Sequence, residues 1–451
     1  SNVAHDHTVF IVTEKLNKLL AIAHAEEKIT NIPKLVYLDM EEYKDLALTV
    51  DVFKYFLQNP KSNHLTLGIA LQAYIPDSFT YQQELTRRAK TRLARGGVPV
   101  RIRIVKGANM EMERCIASSN QWTQAPYSTK LETDANFKRM VSYAFNEENL
   151  KAVKIGIGSH NIFEIAFAKS LQSIRNLDPE NFEYEMLEGI ANHTRRSVQK
   201  LLGPVLIYSP LAGNEEFLNA IAYLVRRLME NTEAENFLSH SFNLTVGSAA
   251  WNEEKFKFLS ALDHVQQLEI PSPRHKQSRG NKMSFNPVKP GSVENFIPDS
   301  PTNFSLPANQ DWLENQIVIS KSNEEPLILL KIAGKCISEE RHLLPCKNIF
   351  QPDQGVAHFV AANSEDINQA ILFLSKSEQT QWDIDGSFRQ KTLQKVSIEL
   401  QNHRAELICT AMKTIGKGVA DLDAEVSEAI DFINYYPQAM TYFQKNYPHI
   451  V

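Results

Sequence analysis

Strand-like and helix-like runs alternate from residue 1 to residue 262, and this order constrains the fold more than any other feature. The strand-like runs are Lys34–Asp39, Leu65–Tyr74, Val98–Val105, Val153–Gly158, Phe182–Leu187 and Val205–Tyr208. Between them lie amphipathic stretches with helical spacing: Thr13–Glu26, Phe79–Gly96, Asp134–Phe145, Ile162–Arg175 and His193–Leu202. A repeated βα order calls for parallel strands joined by right-handed crossovers. A TIM-type (βα)8 barrel and an open doubly wound sheet both satisfy that rule. The chemically active positions favour the barrel. Asp39, Gln72, Lys106, His160, Leu187 with Glu188, and Tyr208 fall where different strands end, and barrels build their sites from several strand ends. A doubly wound sheet gathers its polar groups at one switch point, and no GxGxxG follows any strand here; Gly156 and Gly158 give only GxG.

Residues 263–311 change character. Between Gln266 and Gln310 stand seven prolines and the basic, serine-bearing stretch RHKQSRGNK, which reads as an extended linker. Residues 312–451 begin a second α/β module. Its strand candidates are Ile317–Ile319 and Val356–Ala361. Its helix candidates are Ser364–Lys376, Phe388–His403 and Leu422–Tyr436, the last expected to stop before Pro437. Ser364, followed by Glu365 and Asp366, has the composition of a helix cap.

A chain of 451 residues exceeds one ordinary core, so two or three domains are expected. With 43% apolar and 22% charged residues the composition is that of a soluble globular protein. The net charge of −5 and the lack of a Lys/Arg-rich block argue against a nucleic-acid partner. No apolar run approaches the roughly 18 residues of a spanning helix, and the N-terminus has no signal-peptide core. These features point to the cytoplasm. Of the four cysteines, none forms a CxxC pair, and Cys336, His342 and Cys346 lack zinc-site spacing, so no metal is expected.

Several motifs carry chemistry. Read as a helix, the run from Ala220 to Asn231 puts Tyr223, Arg226, Arg227 and Glu230 on one face. Two guanidiniums beside an aromatic ring suit a small carboxylate with an apolar body. A solvated basic helix end, with Glu230 pairing with an arginine, explains the same spacing. Arg103 and Val105 point to one side of a strand, and a buried-facing Arg103 needs an anion; an edge charge followed by a loop glycine is the plainer reading. Lys106-Gly107 turns the chain where a phosphate or an electron-rich ring fits. His160-Asn161 at a strand end is either a structural pair or a ligand contact. Before the next helix, Thr133 or Asp134 is a candidate cap, leaving amide hydrogens and Lys130 for an anion such as a pyrophosphate; simple capping explains the same residues. Asp39 could fix a tyrosine or an arginine.

Taken together, the strings LDMEEY, LQAY, RIVKGAN, TKLETDANF, GSHN, FEYEMLEG, LIYSP and YLVRRLMENTEAENF resemble the proline dehydrogenase domain of bifunctional proline utilization A flavoenzymes, in family order over residues 1–262. FSLPANQDW and GKGVADLDAEVSEAIDFINYY resemble the start of the fused aldehyde dehydrogenase domain. The resemblance implies a (βα)8 barrel with FAD at its C-terminal face. It implies that Arg226 and Arg227 hold the carboxylate of L-proline. Tyr208, Tyr223 and Leu187 then pack around the pyrrolidine ring, and Asp39 supports that wall. Gln72, Arg103, Val105, Lys106, Gly107, Ala108, Ser128, Lys130, Thr133, His160 and Glu230 line the FAD pocket, with Arg103 near the reactive edge of the flavin. The implied reaction is oxidation of proline to pyrroline-5-carboxylate, electrons passing to a quinone. A quinone partner implies peripheral contact with the inner face of the membrane, and homo-oligomers are compatible with the family. NAD belongs only to a full-length second domain.

The chain also departs from the family pattern. Asn109-Met110 replaces an aromatic pair after the KGA string. The first barrel strand, bearing an active-site lysine, has no room before His7, and the second module stops soon after Tyr436, before nucleotide-binding glycines or a nucleophilic cysteine. Cys409 lies in the wrong context to be that nucleophile. The expectation is a fragment cut at both ends: a barrel without its first strand, a linker, and the N-terminal part of an aldehyde dehydrogenase-like domain. Two other readings stay open: a catalytically silent scaffold whose exposed strand edges favour association, and a lyase or aldolase using Lys106 as a Schiff-base amine.

Overall fold

The computed structural model describes residues 2–218, 220–221, 223–225, 237–240, 244–268, 272–284, 293–321, 325–337, 341–376 and 386–447. The chain divides into two compact units, Ser1–Lys276 and Gln277–Val451. The boundary falls inside the proline-rich stretch.

In the first unit six strands form one all-parallel sheet in sequence order: β1 (Val36–Leu38), β2 (Leu67–Gln72), β3 (Val100–Val105), β4 (Val153–Gly158), β5 (Phe182–Leu187) and β6 (Val205–Tyr208). All six strand-like runs of the sequence are therefore strands, and each pairs with its neighbour in the chain. This is the curled sheet of a partial barrel rather than a doubly wound sheet, whose strand order would reverse at a switch point.

The two faces of the sheet follow from the alternation of side chains along a strand. Leu67, Ile69 and Leu71, then Val100, Ile102 and Ile104, then Val153, Ile155 and Ile157, and finally Tyr184 and Met186 all point to one face and are buried. Their register partners on the other face are Tyr37, Gly68, Arg101, Arg103, Lys154, Gly156, Glu183 and Glu185. The apolar face is covered by helices, and the polar face forms the concave side that carries the site.

The helices of this unit are α1 (His5–Thr30), α2 (Leu46–Gln58), α3 (Asp77–Ala94), α4 (Met110–Asn120), α5 (Lys130–Ala144), α6 (Glu147–Leu150), α7 (Ile162–Ile174), α8 (Asn192–Leu202), α9 (Phe237–His240) and α10 (Ala249–His264). On α2, Leu46, Val50, Phe53 and Leu57 recur at helical spacing and are buried in the common core. The helix ends before Asn59-Pro60 because a residue preceding proline disfavours the helical region.

The cap of α5 corrects the sequence reading. Thr129, not Thr133 or Asp134, is the N-cap: its hydroxyl accepts from the Glu132 amide while the Glu132 carboxylate accepts from the Thr129 amide. Thr133 and Asp134 lie inside the helix. Likewise Asn161 caps α7 by accepting from the Phe163 amide, so its role is structural.

The second unit contains α11 (Pro307–Ser320), a sheet of order β10 (Leu343–Asn348), β11 (Gln351–Val360), β7 (Leu327–Ile328), a hairpin of β8 (Leu330–Ile332) with β9 (Lys335–Ile337), and α12 (Ser364–Ser375), α13 (Gly386–Asn402), α14 (Arg404–Ile415) and α15 (Val419–Asn446). Three expectations fail here. Ile317–Ile319 lies in the last turns of α11, with Val318 and Ile319 exposed, so this run is helix rather than strand. Asn363 rather than Ser364 caps α12, in a capping box with Asp366. Pro437 sits inside α15, where its missing N–H leaves the Ile433 carbonyl without the usual helical donor.

The proline-rich stretch is fastened in this unit by a buried arginine. Arg404 donates to Asp423 at 2.7 Å, to Asp299 at 2.7 Å and to Ser427 at 2.5 Å, while the Thr302 amide and hydroxyl donate to the same Asp423. Asp299 and Thr302 are thereby tied to α14 and α15.

Candidate active site

The concave face is organised around Arg103. Its Nε donates to Glu185 Oε2 at 2.5 Å, and its Nη1 lies 3.6 Å from Asp39 Oδ2. Its guanidinium sits 4.2 Å from the centre of the Tyr37 ring, within cation–π range. The Tyr37 hydroxyl donates to the other oxygen of Glu185 at 3.2 Å. Two glycines make room for this arrangement. A Cβ on Gly156 would stand 1.9 Å from Glu185 Oε1, and one on Gly68 would stand 2.3 Å from the Tyr37 ring. The GxG of β4 thus serves side-chain packing, with Gly158 giving way to Val105. Burial raises the pKa of the Glu185 carboxyl, and Arg103 pulls part of that shift back. Burial works against the charge on Arg103, but Glu185, Tyr37 and Asp39 together outweigh it and raise its pKa.

Beyond β3 the chain turns at Lys106-Gly107. Gly107 has φ 121°, and a Cβ there would meet the Tyr74 ring at 2.3 Å, so the position requires glycine. The turn is fixed by hydrogen bonds from the Ala73 amide to the Val105 carbonyl and from the Tyr74 amide to the Lys106 carbonyl, both 2.7 Å. Lys106 Nζ lies 2.5 Å from Asp134 and 3.1 Å from Glu164. Lys138, fully buried, lies 2.8 Å from Glu164, and Lys130 lies 3.8 Å from Asp134. Lys106, Lys130 and Lys138 thus gather around Asp134 and Glu164, and Glu254, which pairs with Lys257 at 2.8 Å, also faces Lys130. Burial opposes the charge on Lys106, yet Asp134 and Glu164 raise its pKa well above an ordinary lysine. An amine held by two carboxylates, at 2.5 and 3.1 Å, is a poor nucleophile, which argues against the Schiff-base role. Burial lowers the pKa of Lys130, and Lys106 beside it adds to the effect. Lys130 is the cation that a bound anion would relieve.

The other expected residues gather nearby. His160 Nε2 accepts from the Leu187 amide at 3.1 Å, which leaves the imidazole proton on Nδ1. Leu187 pairs in register with Tyr208, whose ring lies 6.0 Å from that of Tyr223. Gln72 is buried; its Nε2 donates to the Met40 carbonyl at 2.5 Å, and its Oε1 is without a partner among the described residues. Thr133 is buried in the first turn of α5, its hydroxyl donating to the Thr129 carbonyl at 3.3 Å. Ser128 is exposed and accepts from Arg274 at 2.7 Å. Ala108 is half-buried; Asn109 and Met110 open α4. Arg226, Arg227 and Glu230 lie outside the described residues.

Glu185, Tyr37, Glu164 and Lys138 were not anticipated. The alternation in FEYEML and LVYLD marked Glu185 and Tyr37 as facing away from the core, but sequence alone did not reveal that they meet. The groups this face offers to a ligand are the Lys130 ammonium, the Gln72 amide oxygen without a partner among the described residues, and the Arg103 guanidinium. Among the described residues no helix is long and apolar enough to cross a membrane.

Comparison with known proteins agrees with this geometry. The proline dehydrogenase family matches residues 3–240 and the aldehyde dehydrogenase family residues 338–449. The bifunctional protein PutA of Salmonella typhimurium is 23% identical over 97% of this chain and 32% of its own length. Proline dehydrogenase 2 of Bacillus subtilis is 27% identical over 49% of this chain and 60% of its own. Among solved structures, proline utilization A from Bdellovibrio bacteriovorus inactivated by N-propargylglycine superposes with a TM-score of 0.80 at 26% identity, covering 98% of this chain and 42% of that one. Proline utilization A from Corynebacterium freiburgense gives 0.73 at 29%, covering 99% and 38%. The chain spans about a third of the length of the bifunctional relative from Salmonella (32%). With the family model spanning more than half of its length, the chain belongs to the proline dehydrogenase family.

Proposed function

We propose that this chain oxidises L-proline to pyrroline-5-carboxylate with FAD as its bound cofactor and a quinone as final electron acceptor. The observation that carries this reading is the convergence of Arg103, Lys106, His160, Leu187 and Tyr208 at the C-terminal ends of adjacent parallel strands, where a barrel holds its chemistry. What FAD supplies when bound is a two-electron acceptor; the chain binds, orients and polarises.

Oxidation removes a hydride equivalent from the ring carbon beside nitrogen and a proton from nitrogen. Arg226 and Arg227 bind the proline carboxylate and so fix which carbon faces the cofactor. Tyr208, Tyr223 and Leu187 supply apolar walls for the ring carbons and exclude water, and Asp39 supports that wall. Arg103 offers positive charge to the reactive edge of the flavin. Lys106 and Lys130, with Ser128 and Thr133 near the start of α5, hold the pyrophosphate. Gln72, Val105, Gly107, Ala108, His160 and Glu230 complete the pocket. A quinone acceptor brings the protein to the inner face of the membrane at its periphery, from the cytoplasm. NAD-dependent oxidation of the resulting semialdehyde belongs to a complete aldehyde dehydrogenase half. A homo-oligomer is compatible with these roles.

The test is turnover by the purified, FAD-reconstituted chain with proline and a soluble quinone analogue. Proline-dependent quinone reduction, with an imine product identified by mass, supports the reading. A flavin-loaded chain that yields no imine rejects it.

A further inference from the structure

The concave face holds a carboxylate that the proposed reaction does not use. Glu185 is nearly fully buried, with 4% of its side chain exposed, and both its oxygens are engaged: Oε2 with Arg103 Nε at 2.5 Å, Oε1 with the Tyr37 hydroxyl at 3.2 Å. Three strands contribute to the group, Tyr37 from β1, Arg103 from β3 and Glu185 from β5. Backbone space is reserved for two of its members, since any side chain at Gly156 or Gly68 would collide with Glu185 or Tyr37. A buried ion pair adds little net stability compared with apolar packing of the same volume, so stability alone is a weak reason to build one on the concave side of a barrel strand.

We infer that Glu185 and Tyr37 are positioning residues that set the charge Arg103 presents to the bound cofactor, and through it the reduction potential of that cofactor. The inference rests on the FAD reading above. Three physical steps support it. Arg103 has a single guanidinium shared between Glu185, Asp39 and the Tyr37 ring, and Asp39 is half exposed at 55% of its side chain and more distant at 3.6 Å. Glu185 is therefore the dominant counter-charge, screened least by solvent. A fixed carboxylate beside the guanidinium reduces the positive potential the cofactor feels, and positive potential favours the electron-rich reduced form. The Tyr37 hydroxyl, by donating to Glu185, draws off part of that negative charge.

The two groups thus act in opposite senses, which gives the inference a signature. Glu185→Gln removes the charge, keeps one oxygen to accept from Arg103, and turns an NH2 towards the Tyr37 hydroxyl, which can accept from it. Tyr37→Phe keeps the ring over Arg103 but removes the donated hydrogen bond. The experiment is the two-electron midpoint potential of FAD bound to the wild-type chain and to each variant, with circular dichroism as a control on folding. The expected result is a positive shift for Glu185→Gln and a smaller negative shift for Tyr37→Phe. A mere loosening of the fold would move both in the same direction. Folded, flavin-loaded variants with unchanged potentials, or with shifts of one sign, overturn the inference and leave the FAD reading standing. Should Glu185→Gln fail to fold, Tyr37→Phe decides the matter by the sign of its shift. A wild-type chain that takes up no FAD overturns the reading and the inference together.

Discussion

The Tyr37 hydroxyl on β1 donates to the Glu185 carboxylate on β5 at 3.2 Å, although three strands stand between them in the sheet. In a flat sheet strands four positions apart lie about 19 Å from each other. The contact therefore requires the sheet to curl strongly, and the curl is what turns alternating polar residues into a concave site. Arg103, midway between the two on β3, closes the group from the centre of the arc.

Gly156→Ala tests the space reserved under Glu185. The new Cβ would stand 1.9 Å from Glu185 Oε1, so the carboxylate must move off Arg103. Overpacking of this kind costs about 1–3 kcal/mol. Urea denaturation of the variant is expected to show that loss; wild-type stability would mean the carboxylate has another place to go.

Asp134 gives a prediction with a definite sign. Burial pushes its pKa up, but Lys106 and Lys130 together outweigh burial and hold it below the ordinary carboxylate value. A depressed carboxyl contributes stability that is present above its unfolded pKa, about 3.9, and is lost as pH falls through the folded value. The difference in unfolding free energy between wild type and Asp134→Asn is therefore expected to be full near neutral pH and to shrink on acidification below about pH 4. Urea titrations across that range check it; a difference that grows on acidification contradicts the pairing.

Arg226 and Arg227 carry the proposed carboxylate recognition. Replacing both with alanine is expected to weaken proline binding by about 2–5 kcal/mol, the cost of stranding a charged partner. Titration of the flavin spectrum with a non-reacting proline analogue measures it. Unchanged affinity would remove the two arginines from the site.

Much of the architecture was legible because the physics behind it is local. β4, β5 and β6 begin and end at the residues their apolar runs suggested, Val153–Gly158, Phe182–Leu187 and Val205–Tyr208. The missed cap shows where local reading becomes ambiguous. Thr129 and Thr133 both precede helical residues, and only Glu132, three positions after Thr129, marks the capping box. Ile317–Ile319 misled because β-branched residues favour strands until an established helix carries them along. Pro437 misled because the residues around it continue the helix on either side. The partnership of Tyr37, Arg103 and Glu185 was legible only in part. Alternation showed which face each occupies, but their meeting depends on sheet curvature, which no short window of sequence records. Arg103 was marked as needing an anion, and the anion is Glu185. The lysine cluster was half seen: Lys106 and Lys130 stood out near turns, whereas Lys138 and Glu164 face inward from helices whose charges ordinarily face solvent.

On the function proposed above, this concave site passes electrons from proline to a bound flavin. The most direct test is the absorption spectrum of the purified, FAD-reconstituted chain under anaerobic conditions before and after proline is added. Bleaching of the flavin bands by proline is the predicted result. A chain that holds FAD with its bands unchanged at saturating proline contradicts the account.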